Sequence, residues 1–190
     1  MIFRRDREQD PRVVNDPNRL PPGQVLTLKW PVLSYGSPPR YDMARWRLRL
    51  YGEVDAPATL TWDEVRKLPV TAITADMHCV TTWSRLDNNW EGVAFKDLVA
   101  RVKPRSTATH VIAHCAADYT TSLPVEILAD DDVLLAYRHD GAELTPDHGG
   151  PLRLVVRLEG LEWVEHDRLG FWERNGYNNA ADPWKEERYW

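Results

Sequence analysis

The stretch DMHCVTTWSRLDNNWEGVAFKDL, residues 76–98, leads from a cysteine into the start of a helix. The run VTAITADMHC, residues 70–79, begins with β-branched residues and predicts a buried strand that carries Cys79 near its carboxyl end. The following run VAFKDLVARV, residues 93–102, repeats apolar residues at helical spacing and predicts a helix. Most cysteines are small buried hydrophobic residues. A functional role for Cys79 therefore needs further support from its surroundings.

Other elements are predicted on both sides of this stretch. In RWRLRLYGEV, residues 45–54, apolar residues alternate with arginines, which indicates a strand with one buried face. In LTWDEVRKLP, residues 60–69, Thr61 and Glu64 form a capping box that predicts a short helix. Further strands are expected in THVIAHCA (109–116), DVLLAYRHDGAEL (132–144, with a turn at Asp140-Gly141) and PLRLVVRL (151–158, paired with 161–167), and a helix capped near Ser122 in SLPVEILADDD (122–132).

Strands mixed with short helices predict an α+β fold in a single mixed domain. A chain of 190 residues is long enough for one sizeable domain. The polar, proline-broken residues 1–24 are interpreted as an arm, and residues 25–190 as the domain.

Composition excludes several classes of protein. A net charge of -5 does not favour nucleic-acid binding, which usually needs a basic balance. Two cysteines do not support a disulfide framework. The first residues show no apolar leader, and no run of eighteen apolar residues predicts a membrane span. The expected location is therefore the cytoplasm.

Common catalytic and metal-binding motifs are absent from the sequence. There is no CxxC pair, HExxH, P-loop, GxSxG or GxGxxG. His110, His114 and Cys115 could approach a metal only if their predicted strand does not form. A cysteine hydrolase would need a histidine that the fold brings to Cys79, because His78 points to the opposite side of a strand.

A role as a metal ligand fits Cys79 better. A thiolate is a soft donor that suits a transition metal. Next to it, Thr81, Thr82, Trp83 and Ser84 offer hydroxyl and indole donors for an oxo or anionic cofactor. Arg153, in HGGPLR, offers the bidentate contact that phosphate favours.

These motifs resemble the sulfite oxidase-type molybdopterin-dependent oxidoreductases. HCVTTWS followed by NNWEGVAFKDLV is similar to that family's molybdenum-binding segment, and DHGGPLRLVV to its second pterin-contacting segment. GFWERNGYNNAADPWKEERYW is similar to the C-terminal signature of its short, single-domain members. The resemblance covers most of the chain from about Trp30 onward.

The resemblance implies two-electron redox chemistry at molybdenum, usually with oxygen-atom transfer, on a small-molecule substrate. Cys79 would be the catalytic residue and the protein's ligand to the metal. Because the chain contains no haem or flavin domain, electrons would be exchanged with a separate protein partner. Residues implied to contact the molybdopterin are Trp30, Val32, Tyr35, His78, Thr82, Tyr119, Asp147, His148 and Arg153.

The sequence also departs from the family pattern. The lysine-rich loop that relatives place after the LRLVV strand is missing, and no lysine occurs between Lys103 and Lys185. We expect either a true deletion or an omitted stretch near Val156 to Gly160, in a cofactor-free form of the protein. Arg85 alone hardly reproduces the arginine cluster of sulfite oxidases, and Thr81 stands where the sulfoxide-reductase relatives carry an acid.

Two hypotheses about function follow. The first is a molybdopterin-dependent oxidoreductase for which reduction of an S-oxide or N-oxide is favoured over sulfite oxidation. The second is a binding module that keeps the fold and has lost the cofactor with its lysine loop.

Overall fold

The computed structural model of this chain describes residues 16–32, 37–154, 160–178 and 182–189. In chain order its strands are β1 (Val25–Leu26), β2 (Arg47–Gly52), β3 (Ala58–Thr61), β4 (Thr71–Cys79), β5 (Trp83–Ala94), β6 (His110–His114), β7 (Thr120–Pro124), β8 (Leu134–His139), β9 (Ala142–Glu143) and β10 (Gly160–Val164). The α-helices are α1 (Trp62–Val65), α2 (Phe95–Val102), α3 (Val125–Leu128) and α4 (Phe171–Arg174), with 3-10 turns at Pro17–Arg19, Ala116–Asp118 and Pro146–His148.

The first sheet carries the stretch that contains Cys79. Strand β5 is its centre, because β1, β4 and β8 all pair with it. β4 and β5 form an antiparallel hairpin in which Cys79 lies opposite Trp83. β8 continues into β9 through Asp140 and Gly141, whose φ angles of 47° and 79° suit a tight two-residue hairpin.

The second sheet has the order β3-β2-β10-β6-β7. One hydrophobic core joins the two sheets, since it contains Leu50 of β2 and Trp163 of β10 together with Leu135 of β8. Helix α2 adds Phe95, which is fully buried in the same core. The sheet that holds Cys79 is thus supported from one side by a continuous apolar interior.

Several predictions from the sequence are confirmed. The fold is α+β with mixed sheets. Strand β2 buries Leu48 and Leu50 and exposes Arg47 and Arg49. The capping box at Thr61 forms, with the Glu64 amide donating to the threonine hydroxyl at 3.2 Å. Cys79 ends its strand, and the helix predicted after it is α2.

Three predictions are wrong. Strand β4 is half exposed and not buried. Among the described strands it pairs only with β5, so it lies at an edge of the sheet, and alternate residues at its start are exposed. Ser122 lies inside β7, where it pairs with Ile112, and α3 begins only after Pro124. Strand β10 pairs with β2 on one edge and with β6 on the other, so neither of its edges is left for the strand predicted at 151–158.

Of the predicted strand at 151–158, the described part forms one bridge, between Arg153 and Ala136. The suspected seam near Val156 to Gly160 lies outside the described residues apart from Gly160. The same holds for the first fifteen residues of the expected arm. Among the described helices, none has the length and apolar character needed to cross a bilayer.

Candidate active site

Cys79 is presented at the turn of the β4–β5 hairpin. Its carbonyl oxygen accepts hydrogen bonds from the Thr82 amide at 2.9 Å and from Gln24 Nε2 at 3.2 Å. Thr82 adopts a φ of 69°, which lets the chain reverse within three residues. The thiol is half-buried, forms no disulfide and lies 3.1 Å from the hydroxyl of Thr81. The backbone around Cys79 is therefore held in place while its sulfur stays accessible.

A cleft of about 210 Å³ opens beside this thiol; we call it the Cys79 cleft. One wall comes from the segment before β1 and from the hairpin turn, and the other from the chain's last described residues. Residues that line the cleft include Gly23, Gln24, His78, Cys79, Glu186, Glu187 and Arg188.

A chain of hydrogen bonds orients His78, which lines the cleft. The backbone carbonyl of Cys79 can only accept a hydrogen bond, so the side-chain amide of Gln24 must point its nitrogen toward Cys79. The side-chain oxygen of Gln24 is then free to accept a hydrogen bond from the Ser84 hydroxyl at 3.3 Å. Ser84, fully buried, then accepts from Nδ1 of His78 at 2.8 Å. Burial lowers the pKa of His78, with Asp76 opposing the shift, so the ring is neutral at pH 7.

A second cavity, of about 370 Å³, lies at the other end of β1; we call it the Trp30 pocket. The indole of Trp30 stands against three rings there, with centroid distances of 5.4 Å to Trp90, 4.5 Å to His139 and 4.2 Å to His148. Such a half-buried indole offers a flat apolar surface beside polar groups, which suits a heterocyclic ligand.

Two arginines lie at the Trp30 pocket, whose lining also includes the carboxylates of Asp140 and Glu143. Arg85 donates to Asp140 at 2.6 Å and lies 3.0 Å from Nε2 of His139. Arg153 lies over the Trp30 ring at 5.4 Å and donates to the carbonyl of His148 at 3.3 Å. Burial lowers the pKa of His139; Asp140 opposes this shift and Arg85 adds to it.

The two cavities are arranged along one segment. Gln24 lines the Cys79 cleft and Leu28 lines the Trp30 pocket. Four residues span at most about 13 Å, so one long ligand could extend from the Cys79 cleft to the Trp30 pocket. The Cys79 cleft alone is smaller than typical ligand sites of about 300 to 1,000 Å³, and the Trp30 pocket falls within that range.

Buried donors near Cys79 could serve acceptor atoms of a bound group. Nε of Arg188, in the cleft wall, is buried and has no hydrogen-bond partner within the described parts of the chain. The same holds for the indole nitrogen of Trp83, directly opposite Cys79. Buried donors without partners are costly, and a bound group with acceptor atoms would satisfy them.

The structure brings the sequence-predicted site residues into two groups. His78, Cys79 and Thr82 line the Cys79 cleft, and Trp30 and His148 line the Trp30 pocket with Arg153 over its indole. Tyr35 lies outside the described residues.

The other three predicted residues line neither cavity. Val32 is 48% exposed and Asp147 is exposed on the turn Pro146–His148. Tyr119 stacks on Trp172 at 5.7 Å, in an aromatic group that also contains Phe171. Their roles toward a cofactor remain predictions.

The alternative metal site is not formed in the described chain, where no three potential ligands cluster. His114 instead contacts Tyr51 at 3.1 Å and Glu162 at 2.9 Å, and the Cys115 thiol is buried against the carbonyl of Ala113.

The sequence did not indicate a role for His139, for Gln24 or for the charged residues of the segment 182–189. His139 ends a strand whose partner is set by tertiary packing, so no local pattern marked it.

Comparison with known proteins identifies the family of the chain. Residues 35–165 match the family model described as "Oxidoreductase molybdopterin binding domain". The chain is 40% identical to the uncharacterized oxidoreductase YuiH of Bacillus subtilis (strain 168), over 100% of this chain and 98% of that protein. It is 28% identical to the putative protein-methionine-sulfoxide reductase subunit YedZ1 of Azospira oryzae, over 86% of this chain and 68% of that protein.

A solved structure shares the fold. The sulfane dehydrogenase SoxCD of Paracoccus pantotrophus superposes with a TM-score of 0.63 at 20% identity, over 73% of this chain and 42% of that chain. Because the family model covers more than half of the sequence and YuiH is similar over its whole length, the chain belongs to the family of oxidoreductases with a molybdopterin-binding domain.

Proposed function

We propose that this chain catalyses two-electron redox chemistry with oxygen-atom transfer on a small molecule, at a molybdenum ion ligated by Cys79. The observation that carries the proposal is the placement of Cys79. Its half-buried thiol opens onto a cleft while its carbonyl oxygen accepts two hydrogen bonds. A structural cysteine would need neither the cleft nor the fixed turn.

The cofactor would extend from Cys79 toward the Trp30 pocket. Trp30 and His148 offer flat surfaces for the pterin, and Arg153 offers a guanidinium for the phosphate. When bound, the molybdenum cofactor supplies the two-electron redox and oxygen-atom chemistry, and the protein supplies orientation and electrostatics. Arg188 and Trp83 would donate hydrogen bonds to acceptor atoms of the bound group.

Thr81 would contact the ligand sulfur directly. The Thr81 hydroxyl, 3.1 Å from Sγ, can donate a hydrogen bond to the sulfur. We further propose that a separate electron-transfer protein supplies or removes the electrons, and that the protein works in the cytoplasm.

Metal content tests the proposal. The full chain is produced in a host with the cofactor pathway intact, and molybdenum is measured per chain by mass spectrometry. We expect about one molybdenum in the parent and a loss of at least tenfold in Cys79→Ser, because the ligand thiolate is gone. Cys115→Ala, which removes the other and buried thiol, should keep its metal; circular dichroism checks folding of all three.

Two results would contradict the proposal. A folded parent without molybdenum would favour the binding module, the alternative suggested by the absence of lysine between Lys103 and Lys185. A Cys79→Ser protein with full molybdenum content would show that another group holds the metal.

A further inference from the structure

The last described segment, residues 182–189, forms one wall of the Cys79 cleft and is anchored at several points. The indole nitrogen of Trp184 donates to the carbonyl of Asn18 at 3.1 Å, and its ring contacts His78 with centroids 4.9 Å apart. The amide of Asn178 donates to the carbonyl of Arg188 at 3.3 Å. These contacts place the tail's side chains at the cleft.

The wall that this segment builds is mainly acidic. Asp182, Glu186 and Glu187 all line the cleft beside Cys79. Asp182 is paired with Lys185 at 3.2 Å, but Glu186 and Glu187 have no ion pair within the part of the chain that the structure describes. Arg188 is the only arginine or lysine among the described lining residues, and its guanidinium lies 5.0 Å from the centre of the Tyr189 ring.

Glu186 is an exposed residue whose carboxylate lies close to the opposite wall. A Cβ atom built on Gly23 would lie 3.3 Å from Oε1 of Glu186, so the carboxylate packs against the Gly23 backbone. Glu187 is half-buried, which lessens the screening of its charge by water. The cationic residues Arg85 and Arg153 belong instead to the Trp30 pocket.

We infer that Glu186 and Glu187 select substrates carrying a positively charged group and disfavour inorganic oxyanions at Cys79. The inference rests on the proposed function, since it concerns the substrate of that same site. A concave site lined by one sign of charge raises the local concentration of opposite charges and repels like charges. The favoured substrate class is therefore a cationic organic S-oxide or N-oxide.

The thiol itself can report the charge of the cleft without any metal. In the full chain produced without the cofactor, Cys79 is modified by methanethiosulfonates with a trimethylammonium, a sulfonate or a methyl group, and each rate is divided by the rate with free cysteine. We expect the cationic reagent to react at least tenfold faster than the anionic one. The same measurement on Cys79→Ser gives the modification rate of Cys115 alone, which is subtracted.

Removing the carboxylates should reduce this preference. A unit charge that lines the same partly solvated cleft as the thiol changes such a ratio about three- to tenfold, so Glu186→Gln and Glu187→Gln should each lower it by about that factor. The rate with the neutral methyl reagent should stay the same, which shows that access is unaltered. Glu126→Gln, an exposed change on α3 outside the cleft, is the matched control.

The loaded enzyme provides a second measurement. Its kcat/KM for a cationic N-oxide should fall about three- to tenfold in the same variants and its kcat/KM for an anionic one should rise. An anionic reagent that modifies Cys79 as fast as the cationic one, or Glu→Gln variants with an unchanged ratio, would overturn the inference. Absence of molybdenum would overturn the proposed function alone, because the modification rates require no metal.

Discussion

The ion pair between Arg19 and Asp76 should hold the wall of the Cys79 cleft in place. Nε and Nη2 of Arg19 donate to the two carboxylate oxygens of Asp76 at 2.9 and 2.6 Å, and Nη2 also reaches Asp87 at 2.6 Å. Arg19 stands four residues before Gly23, which lines the cleft. The pair therefore ties this segment to strands β4 and β5.

The size of this effect follows from its geometry. Exposed ion pairs contribute about 0.2 to 1 kcal/mol, and hydrogen bonds to charged groups about 1.5 to 3 kcal/mol. The side chains of Arg19 and Asp76 are 28% and 19% exposed, so we expect a coupling of about 1 to 2 kcal/mol. A change of 1 kcal/mol shifts Tm by about 2 to 4 °C in a domain of this length, so the pair should contribute about 2 to 8 °C.

A double-mutant cycle with Arg19→Gln, Asp76→Asn and the double variant measures this coupling by urea denaturation. Arg19→Lys should recover only part of it, because an ammonium cannot make the bidentate contact. The rate of Cys79 modification by the neutral reagent should also rise in Arg19→Gln, as the segment loosens. A coupling below about 0.5 kcal/mol would refute the reasoning, since it would equal that of an ordinary exposed pair.

The pair also has a defined pH dependence. Burial favours the neutral acid of Asp76, but the hydrogen bonds from Arg19 and from the Asp87 amide outweigh it and lower its pKa. A carboxyl with a lowered pKa in the folded state stabilises the fold above its unfolded pKa, about 3.9, and loses this contribution as pH falls through the folded value. The parent should thus lose stability below about pH 4, with a flatter profile in Asp76→Asn.

Two further predictions concern the first sheet. Gly92→Ala should lower the free energy of unfolding by about 2 to 3 kcal/mol in urea titrations, because its Cβ would lie 2.2 Å from the carbonyl oxygen of Leu135. In the control Gly141→Ala, where nothing lies within 4 Å, only the strain of φ +79° remains and about 1 kcal/mol should be lost. Burial lowers the pKa of His139, so the unfolded chain binds a proton first, and the free energy of unfolding should fall as pH drops from about 6.5 toward the folded pKa. His139→Gln should remove that part of the pH profile, and an identical profile in both proteins would contradict this assignment.

The local elements were predictable because their signals are local. The alternation of Leu48 and Leu50 with arginines encodes which face of β2 is buried, and the capping box at Thr61 needs only residues within one turn. The position of Cys79 at a strand end follows in the same way from the residues that precede it. The helical spacing of its apolar residues also predicted helix α2.

The pairing of strands was not predictable in this way. The sequence around β10 predicts a strand, yet its neighbours β2 and β6 lie far away along the chain. β4 is rich in β-branched residues and was expected to be buried, but an edge position leaves it half exposed. β-propensity reports how a residue fits a pleated surface and carries no information about which strand lies beside it.

The sequence by itself determined that this protein has an α+β fold, that Cys79 ends a strand, and that the chain belongs with the molybdopterin-binding oxidoreductases. Only the tertiary structure decided what surrounds that thiol. Gln24 donates a hydrogen bond to the carbonyl of Cys79, and the acidic residues of segment 182–189 line the opposite wall of the cleft. The physical reason is distance along the chain. Hydrophobic periodicity and helix caps depend on residues close together in the sequence. Gln24 and Glu187 are brought to the Cys79 cleft by packing between distant segments, and no local sequence pattern predicts which distant segments pack together.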